Sequence, residues 1–127
     1  MWEKTLPNNC PNSNAIDYEG NVFRIIQTNK PNKQDFIIYA ELYPNNPRYK
    51  NLCPAYAISF FDTLDNAQKA LAKNSTLGKY IAKYQLTKTD GMSNFNKSTG
   101  HINTWFYRNS SFNIFTPIEI KEFNEDQ

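Results

Sequence analysis

The chain has 127 residues, which suits one domain that buries its own core, and we expect a single domain over residues 1–127. Its 14 Lys and Arg nearly balance its 12 Asp and Glu, which excludes a strong overall field toward nucleic acid or an anionic membrane. Aromatic residues make up 15% of the chain, and its apolar runs are too short to span a bilayer, so we expect a soluble protein with an aromatic-rich core.

The first half of the chain begins with an irregular arm. Residues 1–20 mix Pro, Asn, Ser and Gly with few apolar anchors, which predicts an ordered arm without regular structure. Residues 22–27 are apolar and β-branched, and they predict the first strand. Residues 35–42 suit either a strand or a short helix, and a helix capped by Asp35 is favoured. Residues 43–54 hold three prolines and predict a long surface loop.

The middle of the chain contains a strand followed by a helix. Residues 56–61 predict a buried strand, and the sequence from Asp62 to Asp65 supplies the N-terminal cap of a helix that continues to residue 72. Leu64, Ala67, Ala70 and Leu71 recur at helical spacing, so this helix should lie on a sheet. Residues 80–86 alternate between apolar and polar side chains, which is typical of a strand.

The last part of the chain predicts two further strands. A turn at residues 89–91 leads into a polar stretch that reaches Gly100 and predicts no strand. Residues 101–107 and 114–123 predict strands, and residues 122–127 form an acidic end. The fold class that follows is α+β, with a single antiparallel or mixed β-sheet, one main helix and long loops.

Two cysteines, Cys10 and Cys53, each precede a proline. With a single histidine in the chain they cannot complete a zinc site, so we expect no metal. They can form one disulfide if the fold brings them together. The first residues resemble no secretory signal, which favours reduced thiols and a cytoplasmic location.

His101 is the first candidate for a functional residue because it is the only histidine and it opens a strand. The alternative is a surface histidine bonded to water or to a backbone carbonyl. Thr104, Trp105 and Tyr107 follow on the same strand and could line the same groove. A strand this aromatic also suits a packed core, which is the interpretation we favour for Trp105.

Arg24 and Ser59 are polar residues inside apolar strands. An unpaired guanidinium is costly to bury, so Arg24 must reach solvent, a carboxylate or an anionic ligand. Ser59 lacks the glycine-flanked turn that exposes a nucleophilic serine, so its sequence context gives little support for that role. Glu119 and Glu122 alternate with apolar residues as on a solvated strand face, although they could also meet Arg24 or His101 in space.

Arg48 and Tyr49 lie in a short basic and aromatic segment, Arg48-Tyr49-Lys50. Together with Lys30 and Lys33, this pattern could form a small contact surface for nucleic acid. Solvated charges on a loop are the alternative that the balanced overall charge favours.

Three short segments taken in order resemble the ADP-ribosyltransferase family. These are residues 22–24, residues 57–63 with the capped helix behind them, and a glutamate in a late strand. The resemblance implies a split β-sheet that binds NAD, with Arg24 and Ser59 holding the nicotinamide end and Glu119 activating the ribose for transfer.

Two functions follow as hypotheses. Without a complete catalytic motif, the chain is interpreted as a small bacterial accessory module, immunity- or antitoxin-like, which binds a protein or, with less support, nucleic acid through exposed aromatic residues and needs no cofactor. The alternative is an NAD- or nucleotide-handling enzyme in which Arg24, Ser59, His101 and Glu119 converge on one cleft.

Overall fold

A computed structural model describes residues 1–124 of the chain. These residues form one six-stranded antiparallel sheet with one main helix, which confirms the predicted α+β class. The acidic stretch predicted at residues 122–127 lies half outside the described part, which ends at residue 124. The strands are β1 (Gly20–Ile26), β2 (Ile58–Phe61), β3 (Tyr80–Leu86), β4 (Gly91–Asn96), β5 (His101–Phe106) and β6 (Glu119–Glu122). The helices are α1 (Tyr39–Leu42), α2 (Pro47–Lys50) and α3 (Leu64–Lys73), with 3₁₀ turns at Lys33–Phe36, Cys53–Tyr56 and Ser75–Leu77.

The strands lie in the order β4-β5-β2-β1-β3-β6. Most neighbouring strands share between four and seven residue pairs. β1 and β2 are different because they share one pair, Phe23 opposite Phe61. The sheet therefore consists of two well-paired halves, β4-β5-β2 and β1-β3-β6, which separate beyond that pair. We call the gap between β1 and β2 the fork.

Helix α3 covers one face of the sheet. It begins where the Thr63 side chain accepts a hydrogen bond from the backbone N–H of Asn66, as predicted for this segment. Ala67 and Leu71 are fully buried at helical spacing and pack with Ile81 of β3. Phe61, the last residue of β2, packs against the same cluster.

The opposite face carries the larger core. Its fully buried members include Val22, Phe60 and Ile102, which come from three different strands. The rings of Phe36 and Phe112 pack across them and contact the ring of Tyr84 at 5.8 and 5.0 Å between centroids. The aromatic-rich core predicted from composition is therefore present.

The segment between β1 and β2 folds as a series of short helical turns. Residues 35–42 are helical in part, but Asn32 rather than Asp35 is the N-terminal cap, and Asp35 completes the capping box. The loop predicted at residues 43–54 is exposed as expected and contains the single turn of α2.

The two cysteines form a disulfide, with sulfur atoms 2.05 Å apart and Cα atoms 5.5 Å apart. The expectation of reduced thiols is therefore wrong. The prediction depended on local sequence, whereas the fold places the N-terminal arm beside the 3₁₀ turn that contains Cys53. None of the helices in residues 1–124 combines the length and apolar character needed to cross a membrane.

Two strand predictions need correction. β4 occupies residues predicted to have no strand, because its polar side chains hide a strand that pairs along its whole length with β5. The strand predicted at residues 114–123 is shorter than expected, and its regular part is β6.

Candidate functional site

A cavity of about 420 Å³ opens at the fork between β1 and β2. This volume lies within the roughly 300–1,000 Å³ range of small-molecule sites. Its polar lining residues are Arg24, Tyr39, Ser59, His101 and Asn103. Its apolar walls include Ile25, Ile37, Pro54, Phe61 and Leu77. The cavity exists because β1 and β2 stop pairing beyond Phe23 and Phe61.

Arg24 spans the fork from β1 to β2. Its Nη1 donates a hydrogen bond to the Ser59 carbonyl at 2.8 Å, while Nε and Nη2 donate to the Asp35 carbonyl at 3.2 and 2.7 Å. A guanidinium has five N–H groups, so two of them have no partner within residues 1–124. The phenyl ring of Phe36 lies 5.3 Å from the guanidinium carbon and supports it from the core side.

The positive charge of Arg24 is not neutralised locally. Both of its acceptors, the carbonyl oxygens of Asp35 and Ser59, are neutral, and in the described part of the chain no carboxylate lies within ion-pair distance of it. The carboxylate of Asp35 instead accepts hydrogen bonds from the backbone N–H groups of Gln27 and Asn32. Burial lowers the pKa of Arg24, while the negative charge of Asp35 opposes that shift. An arginine remains cationic at neutral pH, so the cavity holds a positive charge that an anionic ligand could neutralise.

His101 is the first residue of β5 and pairs with Phe61 of β2, and its ring meets the Phe61 ring edge-on at 5.5 Å between centroids. Gly100 sets its position. The backbone of Gly100 has φ +76°, and a Cβ there would collide with the side chains of Asp62 and Asn66 at the start of α3. Burial, followed by the nearby charge of Arg24, lowers the pKa of His101. The imidazole is therefore neutral at pH 7 and can accept a proton.

Ser59 and Asn103 lie opposite each other on β2 and β5 and share a face of the sheet. The Ser59 hydroxyl donates to Asn103 Oδ1 at a long distance of 3.4 Å. Asn103 was not among the sequence candidates. The sequence does indicate its position, because Asn103 is two residues after His101 in the same predicted strand and the two side chains must therefore share a face of the sheet.

Glu119 does not join the other three predicted catalytic residues. It lies on β6, which β1 and β3 separate from β2, and it lines a different cavity of about 240 Å³. Its carboxylate is 3.5 Å from the ammonium of Lys121, and both side chains are about half exposed. Glu122 is also exposed. The hypothesis that Glu119 converges with Arg24, Ser59 and His101 is wrong, because the sheet order places three strands between β5 and β6.

Three further candidates on β5 or directly after it, Thr104, Trp105 and Tyr107, have structural roles. Thr104 and Trp105 are 1% exposed, and the cavity they line holds only about 60 Å³. The Trp105 indole donates to the Cys53 carbonyl at 3.1 Å, and Thr104 bonds to the Ser93 hydroxyl at 2.8 Å. Tyr107 stacks on Trp2 of the arm at 4.9 Å between centroids. Trp105 therefore packs in the core, as we favoured, and Thr104 is buried beside it.

Arg48 and Tyr49 belong to an exposed aromatic cluster. The rings of Tyr39, Tyr43 and Tyr49 contact one another with centroid separations between 5.6 and 6.2 Å. The Arg48 guanidinium lies 5.7 Å from the centre of the Tyr49 ring. We call these three tyrosines the tyrosine cluster.

Residues 1–124 contain no group of three or more metal-ligating side chains that could hold a metal ion. Comparison of the chain with family models, with curated proteins and with solved structures finds no match.

Proposed function

We propose that the chain is a nucleotide-handling domain of the ADP-ribosyltransferase kind, which binds NAD in the cavity at the fork. One observation carries the proposal: Arg24, Ser59 and His101, nominated separately from sequence, line the same cavity. The resemblance to that family implies a split sheet and assigns Arg24 and Ser59 to the nicotinamide end of NAD. The separation of β1 from β2 agrees with this expectation.

Arg24 is the anion-binding residue in this proposal. Its two unpaired N–H groups and its uncompensated charge suit a phosphate oxygen, such as one in the diphosphate that links the two riboses of NAD. Because the Ser59 hydroxyl donates to Asn103 Oδ1, the Asn103 NH₂ group remains as a donor and the Ser59 oxygen as an acceptor on the adjacent wall, and together they can orient a polar group such as a carboxamide. The apolar walls supply the contact area that a planar ring requires.

His101 is the proton acceptor in this proposal, and Glu119, which the resemblance assigns to ribose activation, lines a different cavity. In the transfer step, an acceptor hydroxyl or water forms a bond to C1′ of the nicotinamide ribose as the bond from C1′ to the ring nitrogen breaks. The bonding pair stays on that nitrogen, so nicotinamide leaves as a neutral molecule. The acceptor's proton passes to His101, whose neutral state follows from its lowered pKa.

Titration calorimetry with NAD tests the binding. We expect NAD to bind the wild-type protein and Arg24→Ala to weaken that binding about ten- to a hundred-fold, as for loss of a charged hydrogen-bond partner. The exposed Arg108 provides a matched control, and Arg108→Ala should keep wild-type affinity. Circular dichroism of each variant establishes that it is folded. Absence of NAD binding to the wild type, or equal affinity of a folded Arg24→Ala, contradicts the proposal.

Nicotinamide release from NAD tests the chemistry separately. His101→Gln removes the proton acceptor but keeps a side chain of similar size. We expect it to retain NAD affinity while nicotinamide release falls at least a hundred-fold, as is typical of a lost general base. Unchanged release in this variant would show that His101 is not the proton acceptor, whereas absence of release from the wild type would leave a domain that binds NAD without this chemistry.

The exposed tyrosine cluster favours a second candidate, a partner-binding accessory module with an immunity- or antitoxin-like role. Tyr39 and Tyr43 are 53% and 48% exposed, and Tyr and Arg are enriched at protein interfaces. Pull-down with wild-type protein and with Arg48→Ala tests this candidate. We expect the wild type to capture a protein or nucleic acid that Arg48→Ala does not capture, and capture of the same partner by both would contradict this candidate.

A cytoplasmic location stays a prediction. The disulfide between Cys10 and Cys53 is more typical of an oxidising compartment.

A further inference from the structure

The tyrosine cluster lies at the mouth of the cavity at the fork. Tyr39 belongs to both features, because it lines the cavity and its ring contacts the rings of Tyr43 and Tyr49. The interplanar angles within the cluster are 31–42°, so the three rings are tilted toward one another rather than perpendicular. A ligand that extends out of the cavity past Tyr39 therefore meets an aromatic surface.

The position of the cluster is held by the surrounding chain. Helices α1 and α2 and the 3₁₀ turn at Cys53–Tyr56 contact one another, and the disulfide ties that turn to the N-terminal arm. The backbone N–H of Tyr43 donates to the Tyr39 carbonyl, which fixes the spacing of these two residues within one helical turn. Rigid exposed rings lose little entropy when a planar group stacks on them.

The chemistry of the cluster suits a nucleobase. Each ring offers a π-face to any base, and base stacking on an aromatic side chain does not require hydrogen-bond readout. The Arg48 guanidinium beside Tyr49 adds a positive charge and a second planar surface. Arg24 inside the cavity and Arg48 outside it place one cation at each end of the path past Tyr39.

We propose that the tyrosine cluster binds the adenine base of the nucleotide whose other end occupies the cavity. This inference rests on the proposed function, since it assigns the part of NAD that lies outside the fork. Tyr39 contacts the ligand at the mouth, and Tyr43 and Tyr49 extend the stacking surface for the base. Recognition of the adenine end is thereby separated in space from the chemistry at His101.

Ligand truncation combined with one exposed substitution tests the inference. Dissociation constants are measured for NAD and for nicotinamide mononucleotide, which lacks the adenylate. We expect Tyr43→Ala to weaken NAD about ten-fold, a typical loss for one stacked base, and to leave nicotinamide mononucleotide unchanged. Tyr43→Phe keeps the ring and should keep the NAD affinity. Phe115→Ala removes a ring that is 58% exposed outside the cluster and serves as the matched control.

The outcomes separate this inference from the function on which it rests. If wild-type protein binds NAD and Tyr43→Ala binds it equally well, the base does not stack on the cluster and the inference fails alone. The cluster is then left to a protein partner. If Tyr43→Ala weakens both ligands equally, the cluster supports the cavity instead of the base, which also overturns the inference. If wild-type protein binds neither ligand, the proposed function fails and this inference fails with it.

Discussion

Arg24 shows how one residue can stabilise the fold and still present a binding group. Its three hydrogen bonds connect β1 to the Asp35 carbonyl and to the Ser59 carbonyl of β2, beyond the single pair at which β1 and β2 are joined. Neutral carbonyls satisfy donors without cancelling charge, so the guanidinium keeps its attraction for an anion. A neighbouring carboxylate would have neutralised it and left a purely structural ion pair. Because the hydrogen-bond acceptors of Arg24 are neutral, its charge stays available to a ligand, as it would not in an internal salt bridge.

His101 should make the stability of the fold depend on pH. Its folded pKa lies below the ordinary value of 6.5, so the unfolded chain takes up a proton first as the pH falls. The free energy of unfolding should therefore decrease from about pH 7 toward pH 5, and this contribution is lost completely once the pH is below the folded pKa. His101→Gln should show a smaller decrease over the same range.

Urea unfolding of both proteins at several pH values measures this difference. Because the chain contains a single histidine, its imidazole signals in a proton NMR titration report the folded pKa directly. A midpoint at or above 6.5 would contradict the burial that we assign to this ring.

At the scale of elements, the disulfide holds the N-terminal arm against the turn beside the cavity. Cys10 and Cys53 are separated by 43 positions in sequence, and closing a loop of this length stabilises the folded state by about 3–4 kcal/mol in the chain-entropy model. Replacing both with serine should lower the free energy of unfolding by that order. NAD affinity should also fall, because Pro54, next to Cys53, lines the cavity.

Denaturant unfolding and NAD calorimetry on the double serine variant measure the two effects. Treating the wild-type protein with a reductant should reproduce both of them. A variant with unchanged stability would show that the arm stays in place through its other contacts, such as the stack of Trp2 on Tyr107.

The elements differ in how far sequence predicts them, and the reason is physical. α3 was predicted with its cap because Thr63 and the spacing of Ala67 and Leu71 are local signals. β4 was not, because Ser93 and Asn94 are polar and their strand forms by pairing with β5. Ser93 is buried, and its hydroxyl is satisfied by a hydrogen bond with the Thr104 hydroxyl on β5. No local sequence pattern identifies that partner.

The candidate site follows the same rule. The residue types that stood out inside apolar strands, Arg24 and Ser59, do line the cavity. Glu119 lies in a segment whose apolar and polar side chains alternate, which correctly indicates a strand. That strand is at the edge of the sheet, and the order of strands cannot be predicted from alternation. Tyr39 was missed as a cavity residue because its position depends on how the segment between β1 and β2 packs over the fork.

At the scale of the whole molecule, the sheet is two halves that meet at one residue pair. Helix α3 contacts both β1 and β2, and Arg24 crosses the gap between them. These contacts hold the two halves together where β1 and β2 form no backbone pairs. Segments with few backbone hydrogen bonds open more easily than the well-paired strands around them. We therefore expect the junction between β1 and β2 to open more readily than the pairing within either half of the sheet.

A ligand bound in the fork should reduce local opening between β1 and β2. NAD at about a hundred times its dissociation constant stabilises the whole fold by about 2.7 kcal/mol, which slows exchange of every amide that needs global unfolding. Amides at the fork exchange by local opening, so a ligand that bridges β1 and β2 adds protection there specifically. Hydrogen exchange with mass spectrometry should show the largest change in peptides covering residues 24–28 and 54–61. Arg24→Ala, which binds NAD ten- to a hundred-fold more weakly in this proposal, should show a smaller change at the same NAD concentration. Equal protection across all peptides would mean that the ligand does not join the two halves, and the fork would then not be its site.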